Sequence, residues 1–297
     1  MKQIVILDLE WNGTYSRRTK SFFNEIIEFG AVKLGPDLNP IDTFSEFIHP
    51  QVGKKISGKI SMLTNLKDED LEEGLLFTQV MSRFKRWAGK CILMTWGTSD
   101  VLALIENCRY FTGNPKVPFL TEYVDLQAFC EAQMHDESGR QMGLSSAAEA
   151  LEIEEDDLDH HRALDDSFLS LRCFQKLYQE DMLKEFIMDA SCKEFYDRML
   201  FKTVTICSLD NPLVTPADMR FCCDICGRRA RRKKDWELKS KSFRAPFYCR
   251  HCNHQFIGRV QFKLKYEGLV VKKKILPYEE PEAKENEDAP QKSESRS

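Results

Sequence analysis

The chain has 297 residues, of which 42% are hydrophobic and 30% charged, and a formal net charge of −4. This is an ordinary globular composition, which excludes a collagen-like, low-complexity or generally disordered chain and suits one large domain with a small one, or two medium domains. The charge is uneven: roughly −12 over residues 1–200, +12 over 201–277 and −4 over the last twenty, a split that marks separate modules and points to a polyanionic partner for the basic one.

The chain starts MKQIVILDLEWNG. Its apolar run is too short for a signal-peptide core and acids follow at once. No stretch approaches the ~18 apolar residues of a membrane span, so a cytoplasmic protein with no membrane association is expected. Residues 4–7 (IVIL) predict a strand buried on both faces. Residues 26–34 and 44–48 predict two more strands, with Gly35, Pro36, Asn39 and Pro40 turning between them, a β-meander. Leu71, Leu75, Val80, Phe84 and Trp87 recur at helical spacing across 67–88. Residues 91–96 read as a buried strand, 99–111 as a helix ending near Gly113 and 123–126 as a short strand. Residues 126–133, 144–151, 163–178 and 180–200 read as helices. Three antiparallel strands followed by alternating α and β elements predict a mixed α/β layer fold with helices on the sheet faces. Residues 201–277 change to short β-rich runs, turns, cysteine pairs and many Lys and Arg. The remainder, 278–297, is too charged to bury a core and predicts disorder.

Asp8 and Glu10 end the first strand, and residues two apart in a strand point to the same side. Two carboxylates on one spot beside a buried strand are costly unless a cation sits there, although a solvated strand end is an alternative. Asp100 follows the second buried strand and could instead cap the helix that begins there. Asp166 lies at the start of the helix over 163–178, after two histidines, where it could simply face the helix dipole. Together, clustered hard oxygen donors suit Mg²⁺ or Mn²⁺ rather than Zn²⁺. Four carboxylates can hold two such ions around a phosphodiester, with a nearby histidine accepting a proton from the attacking water.

These residues fall in DLE at 8–10, NEIIEFGAVKL at 24–34, WGTSD at 96–100 and HRALDD at 161–166, which resemble the exonuclease motifs of the DEDDh (DnaQ-like, RNase H-fold) superfamily. The resemblance covers about residues 1–180. It implies an RNase H-like mixed sheet flanked by helices and 3′–5′ exonuclease activity. It implies that Asp8, Glu10 and Asp166 bind one metal ion, that Asp8 and Asp100 reach a second, and that His161 is the general base. His160 and Asp165 have the wrong offsets for that motif and stand as alternatives. Asp125 matches a recurrent acidic position and is expected to be structural. DLEWN followed by a cysteine-rich tail is similar to a bacterial group of predicted exonucleases linked to inhibition of a sporulation kinase pathway, and to a group of RNA exonucleases.

The same resemblance implies that Leu9 and Trp11 contact the terminal nucleotide, and that KISMLTNL at 59–66 packs on its base through Leu63 and Thr64. Core packing is the plainer role for Trp11 and Leu63. RRTK at 17–20 could touch phosphates or be a solvated loop.

In the basic module Cys223 and Cys226 form one Cys-x2-Cys pair and Cys249 and Cys252 another, a spacing that fits a structural four-cysteine Zn²⁺ ribbon. Cys222, His251 and His254 are alternative ligands. Between the pairs lies RRARRKKDWELKSKSFR, whose cations interleave with Trp236 and Phe243, as phosphate contact with base stacking requires. The expected organisation is an exonuclease domain over 1–180, a helical connector over 181–200, a small β-rich zinc ribbon over 201–277 and an acidic tail over 278–297. The expected activity is release of nucleotides from single-stranded 3′ ends, with RNA favoured by the resemblance. A DNA exonuclease in repair or proofreading, and a catalytically silent nucleic-acid-binding or regulatory protein, are the alternatives; the filled set Asp8, Glu10, Asp100, His161 and Asp166 weighs against silence.

Overall fold

The computed structural model describes residues 2–134, 141–154 and 162–278. The chain divides into two compact units, Met1–Leu200 and Phe201–Ser297. No helix among the described residues is long and apolar enough to cross a membrane. His160, His161 and the tail 279–297 lie outside the described residues.

The first unit opens with β1 (Gln3–Ser16), β2 (Ser21–Leu34) and β3 (Pro40–Phe47), an antiparallel meander. There follow α1 (Gly58–Thr64), α2 (Asp68–Glu72), α3 (Phe77–Ala88), β4 (Cys91–Thr95), α4 (Ser99–Thr112), β5 (Glu122–Asp125), α5 (Leu126–Met134), α6 (Leu144–Ala150), α7 (Ala163–Leu177), α8 (Glu180–Phe186), β6 (Met188–Asp189) and α9 (Lys193–Leu200). The six strands form one mixed sheet in the order β3-β2-β1-β4-β5-β6, with β4 and β5 parallel to β1. The architecture is RNase H-like, helices covering both faces of the sheet.

Alternation along β1 sorts the two helical layers. Val5, Leu7 and Leu9 face a core shared with Phe77, Val80 and Phe84 of α3 and Leu104 of α4. Ile4 and Ile6 face the opposite core, shared with Phe129 of α5 and Leu169 and Phe174 of α7. Period two then places Asp8 and Glu10 in the Ile4–Ile6 row, on the side of α7. The parallel partner β4 pairs only with Gln3–Ile6, so the ladder on that edge of β1 stops just before Asp8.

The close approach of α7 to the sheet has a single enabling residue. A Cβ on Gly30, the cross-strand neighbour of Asp8, would lie 2.0 Å from backbone atoms of Ala163 and Leu164. Helix α7 therefore rests its first turn directly on the β2 backbone, and Ser167 Oγ donates to the Gly30 carbonyl at 2.8 Å.

Two predicted helices are broken. The segment 67–88 divides into α2 and α3 because Leu75 leaves the helix to bond the Phe47 carbonyl, and Gly74 passes within contact of the His49 backbone. The segment 180–200 is interrupted by β6, which pairs with β5. The connector region is thus part of the first unit: β6 adds the sixth strand, and Phe195 and Tyr196 of α9 are buried in the α3–α4 core. Strands β1 and β2 also run well past their apolar stretches, because each supplies the other's hydrogen bonds out to Ser16 and Ser21.

The second unit is a β-rich sheet built on β10 (Ser242–Cys249), β11 (His254–Lys265) and β12 (Gly268–Pro277), with the short strands β7 (Val204–Ile206), β8 (Arg231–Arg232) and β9 (Glu237–Lys239) at its margins. Its core gathers Phe221, Phe243, Phe247, Phe256 and Phe262.

Gly30→Ala forces α7 off the sheet. Overpacking against rigid backbone costs about 3 kcal/mol, so the thermal midpoint should fall by roughly 6–12 °C in calorimetry. A midpoint unchanged from the parent would show that α7 does not rest on Gly30.

Candidate active site

The carboxylates converge where the ladder of β1 and β4 ends. One oxygen each of Asp8, Glu10 and Asp166 lies within 4.8 Å of the others. Asp166 is in the first turn of α7, its N–H donating to the Arg162 carbonyl at 2.9 Å, and it is Asp166 rather than Asp165 that joins the group. Asp100 comes from the first turn of α4, whose cap position is taken by Thr98. Its side chain is 4% exposed, and Oδ1 accepts the Leu9 N–H at 3.1 Å. That amide is one the sheet leaves unpaired once β4 has ended, so Asp100 completes the strand with one oxygen. A concavity of about 290 Å³ is bounded by the four carboxylates together with Trp11, Trp96 and the Leu144–Ser145 end of α6.

Electrostatics make this assembly expensive. Burial, followed by repulsion from Asp100, Asp166 and Glu10, holds the Asp8 carboxyl well above the usual carboxylate range. Burial and then Asp166 push Glu10 to about 8. Burial also raises Asp100 to about 7, although the amides it accepts pull the other way. Close like charges disfavour ionisation, and a bound cation reverses that penalty. The donor set, hard carboxylate oxygens in a partly dry concavity, fits Mg²⁺ or Mn²⁺.

Glu28 and Arg162, which carry no reading at the sequence level beyond their motifs, brace the site. Glu28 is opposite Glu10 on β2 and fully buried. Arg162 meets it through Nη2 at 3.0 Å and Nε at 3.2 Å from Oε1, and also lies over the Phe47 ring. Burial raises Glu28 despite this pairing. The pair ties the residue just before α7 to the strand beside the carboxylates. Trp96 also borders the site; its indole N–H donates to the Met142 carbonyl at 3.1 Å, which sets its ring at the rim.

The residues expected to grip a nucleotide fare unequally. Trp11 lines the concavity while packing on the α3–α4 core. The Leu9 side chain joins that core, on the opposite face of β1 from Asp8 and Glu10 because odd and even positions alternate, although Leu9 also borders the concavity. Thr64 is 1% exposed and its hydroxyl donates to the Ile60 carbonyl, closing α1, so it cannot meet a base as placed. Leu63 is 43% exposed on α1 but is not among the residues that bound the concavity. In the 17–20 turn Arg18 donates to the Tyr110 carbonyl and lies over its ring. Asp125 accepts the Ala128 N–H at 3.0 Å, an N-terminal cap on α5.

Residues 5–174 match the model of the exonuclease family known as RNase_T. The chain belongs to the exonuclease family. Like other exonucleases it is a hydrolase of phosphodiester bonds. Among relatives, the probable 3′-5′ exonuclease KapD of Bacillus subtilis (strain 168) is 28% identical over 183 residues, 60% of this chain and 85% of that protein. The PolC-type DNA polymerase III of Staphylococcus haemolyticus (strain JCSC1435) is 27% identical over 177 residues, 59% of this chain but 11% of the polymerase. The fold is similar to the nuclease domain of 3′hExo, a DEDDh family member solved bound to rAMP, with TM-score 0.51, 23% identity and coverage of 62% of this chain and 92% of that one.

In the second unit one sulfur from each of Cys223, Cys226, Cys249 and Cys252 lies within 4.8 Å of the others. The Cys223–Cys252, Cys226–Cys249 and Cys226–Cys252 sulfurs are 3.5, 3.4 and 3.7 Å apart. Four thiolates about 2.3 Å from a tetrahedral zinc lie about 3.8 Å from one another, so the set fits that ion. The Cys252 N–H, with that of His251, draws the Cys249 thiol down to about 6, while burial and its neighbouring thiols push Cys252 up to about 12. Cys222 is exposed, and His254 turns Nε2 towards Asp224 Oδ1 at 3.0 Å, so neither joins the set.

Two outcomes follow from these charges. Carboxyls raised in the fold favour the folded state fully below their ordinary values near pH 4, and that contribution is lost as pH rises through their folded values near 7–8. The metal-free midpoint should therefore fall by about 5 °C or more between pH 5 and 8. Added Mn²⁺, or Asp100→Asn, which keeps an acceptor for Leu9, should flatten the fall; a pH-independent midpoint would refute the crowding. Stripping metal from the cysteine set with a strong chelator should abolish the near-ultraviolet signal of Trp236 and release about one zinc per chain. Retained structure at zero zinc content would contradict a structural metal.

Proposed function

We propose that the protein is a 3′–5′ exonuclease of the DEDDh type that removes nucleotides from single-stranded RNA ends. The observation that carries this reading is the meeting of Asp8, Glu10 and Asp166 in one concavity with Asp100 at its edge. Asp8, Glu10 and Asp166 would hold one divalent cation, and Asp8 with the second oxygen of Asp100 another. When bound, Mg²⁺ or Mn²⁺ at these positions would polarise the phosphodiester and make a water acidic enough to attack it. His161, immediately before Arg162, would take the proton of that water. The Arg162–Glu28 pair orients the chain between His161 and Asp166, and Trp11 and Trp96 offer aromatic faces to the terminal nucleotide. The structural metal of the cysteine set is proposed to be Zn²⁺.

The preference for RNA rests on the motif resemblance and on the fold neighbour solved with rAMP. The PolC-type relatives are DNA polymerases, and this favours testing DNA as the second substrate.

A time course on matched 3′-labelled single-stranded RNA and DNA, with Mg²⁺ or Mn²⁺, reads activity, polarity and sugar preference together. Stepwise loss from the 3′ end with faster decay of RNA is expected. Asp8→Ala and Asp166→Ala should each lower the rate by about 100–1000-fold, because the cation that would stabilise the transition state loses a ligand, while oligonucleotide binding survives. Wild-type rates in either variant, or decay from the 5′ end, would overturn the reading.

A further inference from the structure

The second unit has a concavity of about 670 Å³ that the exonuclease motifs do not account for, lined by Arg220, Arg229, Arg231 and Arg232 over a floor that includes Trp236 and Phe247. No carboxylate lines it. Among the described residues only Arg232 of the four arginines has an ion pair, at 3.4 Å from the exposed Asp235. Four exposed arginines around one concavity, with a single carboxylate at its edge, give it a positive potential that attracts an anionic ligand. Guanidinium forks match phosphate oxygens bidentately.

The aromatic floor narrows the ligand. Trp236 is half-buried, held by Phe247 at 5.7 Å and Phe221 at 6.2 Å between ring centroids. The Arg232 guanidinium carbon lies over the Trp236 ring, 5.8 Å from its centre, so cation and indole meet at one point and a base that stacks on the indole takes the place this guanidinium covers. The Phe243 expected to share this role packs on Phe262, and Phe247, four residues on along the same buried row, is the ring that supports Trp236. An inorganic anion or an acidic peptide would use the arginines and leave the indole idle. A nucleotide strand uses both, through its phosphates and a stacked base.

We propose that this concavity is a binding site for single-stranded nucleic acid, with a base stacked on Trp236 and the flanking phosphates held by Arg229, Arg231 and Arg232. That the strand bound here is also the one hydrolysed rests on the exonuclease reading; the site itself does not.

The test uses the full-length, zinc-loaded protein in buffer without added divalent cation, so that no hydrolysis is needed. Binding of a fluorescein-labelled 20-mer of uridylate is followed by anisotropy, and unlabelled strand is titrated against tryptophan emission. The strand should quench emission, and Trp236→Phe should remove the part of the quench that persists when Trp11 and Trp96 are both replaced by Phe. Trp236→Leu should weaken binding by about 10-fold, within the range for loss of one stacked base. The double variant Arg229→Ala with Arg232→Ala should flatten the slope of log K against log salt by about 1.4, two phosphate contacts at ~0.7 each, whereas the double Arg→Lys variant keeps the slope. Zinc content confirms that each variant is folded. Wild-type affinity and slope in the alanine and leucine variants would overturn the proposal. So would a polyglutamate chain that competes as well as the oligonucleotide, since that would make the surface a seat for acidic protein. Failure of nucleotide release leaves this binding readable, and failure of this binding leaves nucleotide release readable.

Discussion

The contact between helix α7 and strand β2 sets the geometry on which the catalytic unit depends. A helix covering a sheet normally stands off by the thickness of two layers of side chains. Here the missing side chain at Gly30 lets the first turn of α7 touch strand backbone, with Ser167 bonding to the same residue. Because Gly30 is the cross-strand neighbour of Asp8, this close packing is what brings Asp166, on a helix more than a hundred and thirty residues away in sequence, to the carboxylates of β1. The Glu28–Arg162 pair, a buried carboxylate met by a partly exposed guanidinium one β2 row further along, fixes the entry to the helix from the other side. A buried ion pair is a weak source of net stability but a strong source of positional definition when breaking it strands a charge.

The second constraint is electrostatic and opposes the first. Packing that unites Asp8, Glu10, Asp100 and Asp166 also desolvates them and sets them against one another. The fold holds a local arrangement that is unfavourable by itself and becomes favourable only with positive charge inside it. The cysteine set repeats the logic with soft donors: four thiols held at zinc-like spacing in a unit whose core is small.

Much of this was legible in the sequence, for identifiable reasons. Period-two alternation showed that Asp8 and Glu10 share a side, and paired Cys-x2-Cys spacing brought out the four sulfurs. Element ends were readable where a strong turn or cap residue stands, such as Gly113 with its left-handed backbone after α4, and less so where a helix starts at Lys67 or Leu76. What escaped were interactions that no local pattern encodes. Glu28 and Arg162 are separated by 134 positions, and their pairing exists only after α7 docks. Likeness to a motif places Leu9 at the substrate; alternation turns its side chain into the core, while the residue still borders the concavity between Asp8 and Glu10. Thr64 looked available, but its hydroxyl is spent on its own helix. Phe243 and Phe247 share the inward row of β10, and which of them meets Trp236 is set by how the 229–239 segment crosses that row, a tertiary contact that no local pattern encodes.

The Leu9–Asp100 hydrogen bond has a wider implication. With β4 ending at the level of Ile6, the edge of β1 would be open to water at the point where the carboxylates begin. Asp100 closes it with one oxygen, leaving the other for the concavity. A single carboxylate thereby serves as both the selvedge of the sheet and a wall of the site. The strand cannot fray there without loosening the acid, and the acid cannot swing away without fraying the strand, so local breathing of the sheet and disorder of the site are one motion rather than two.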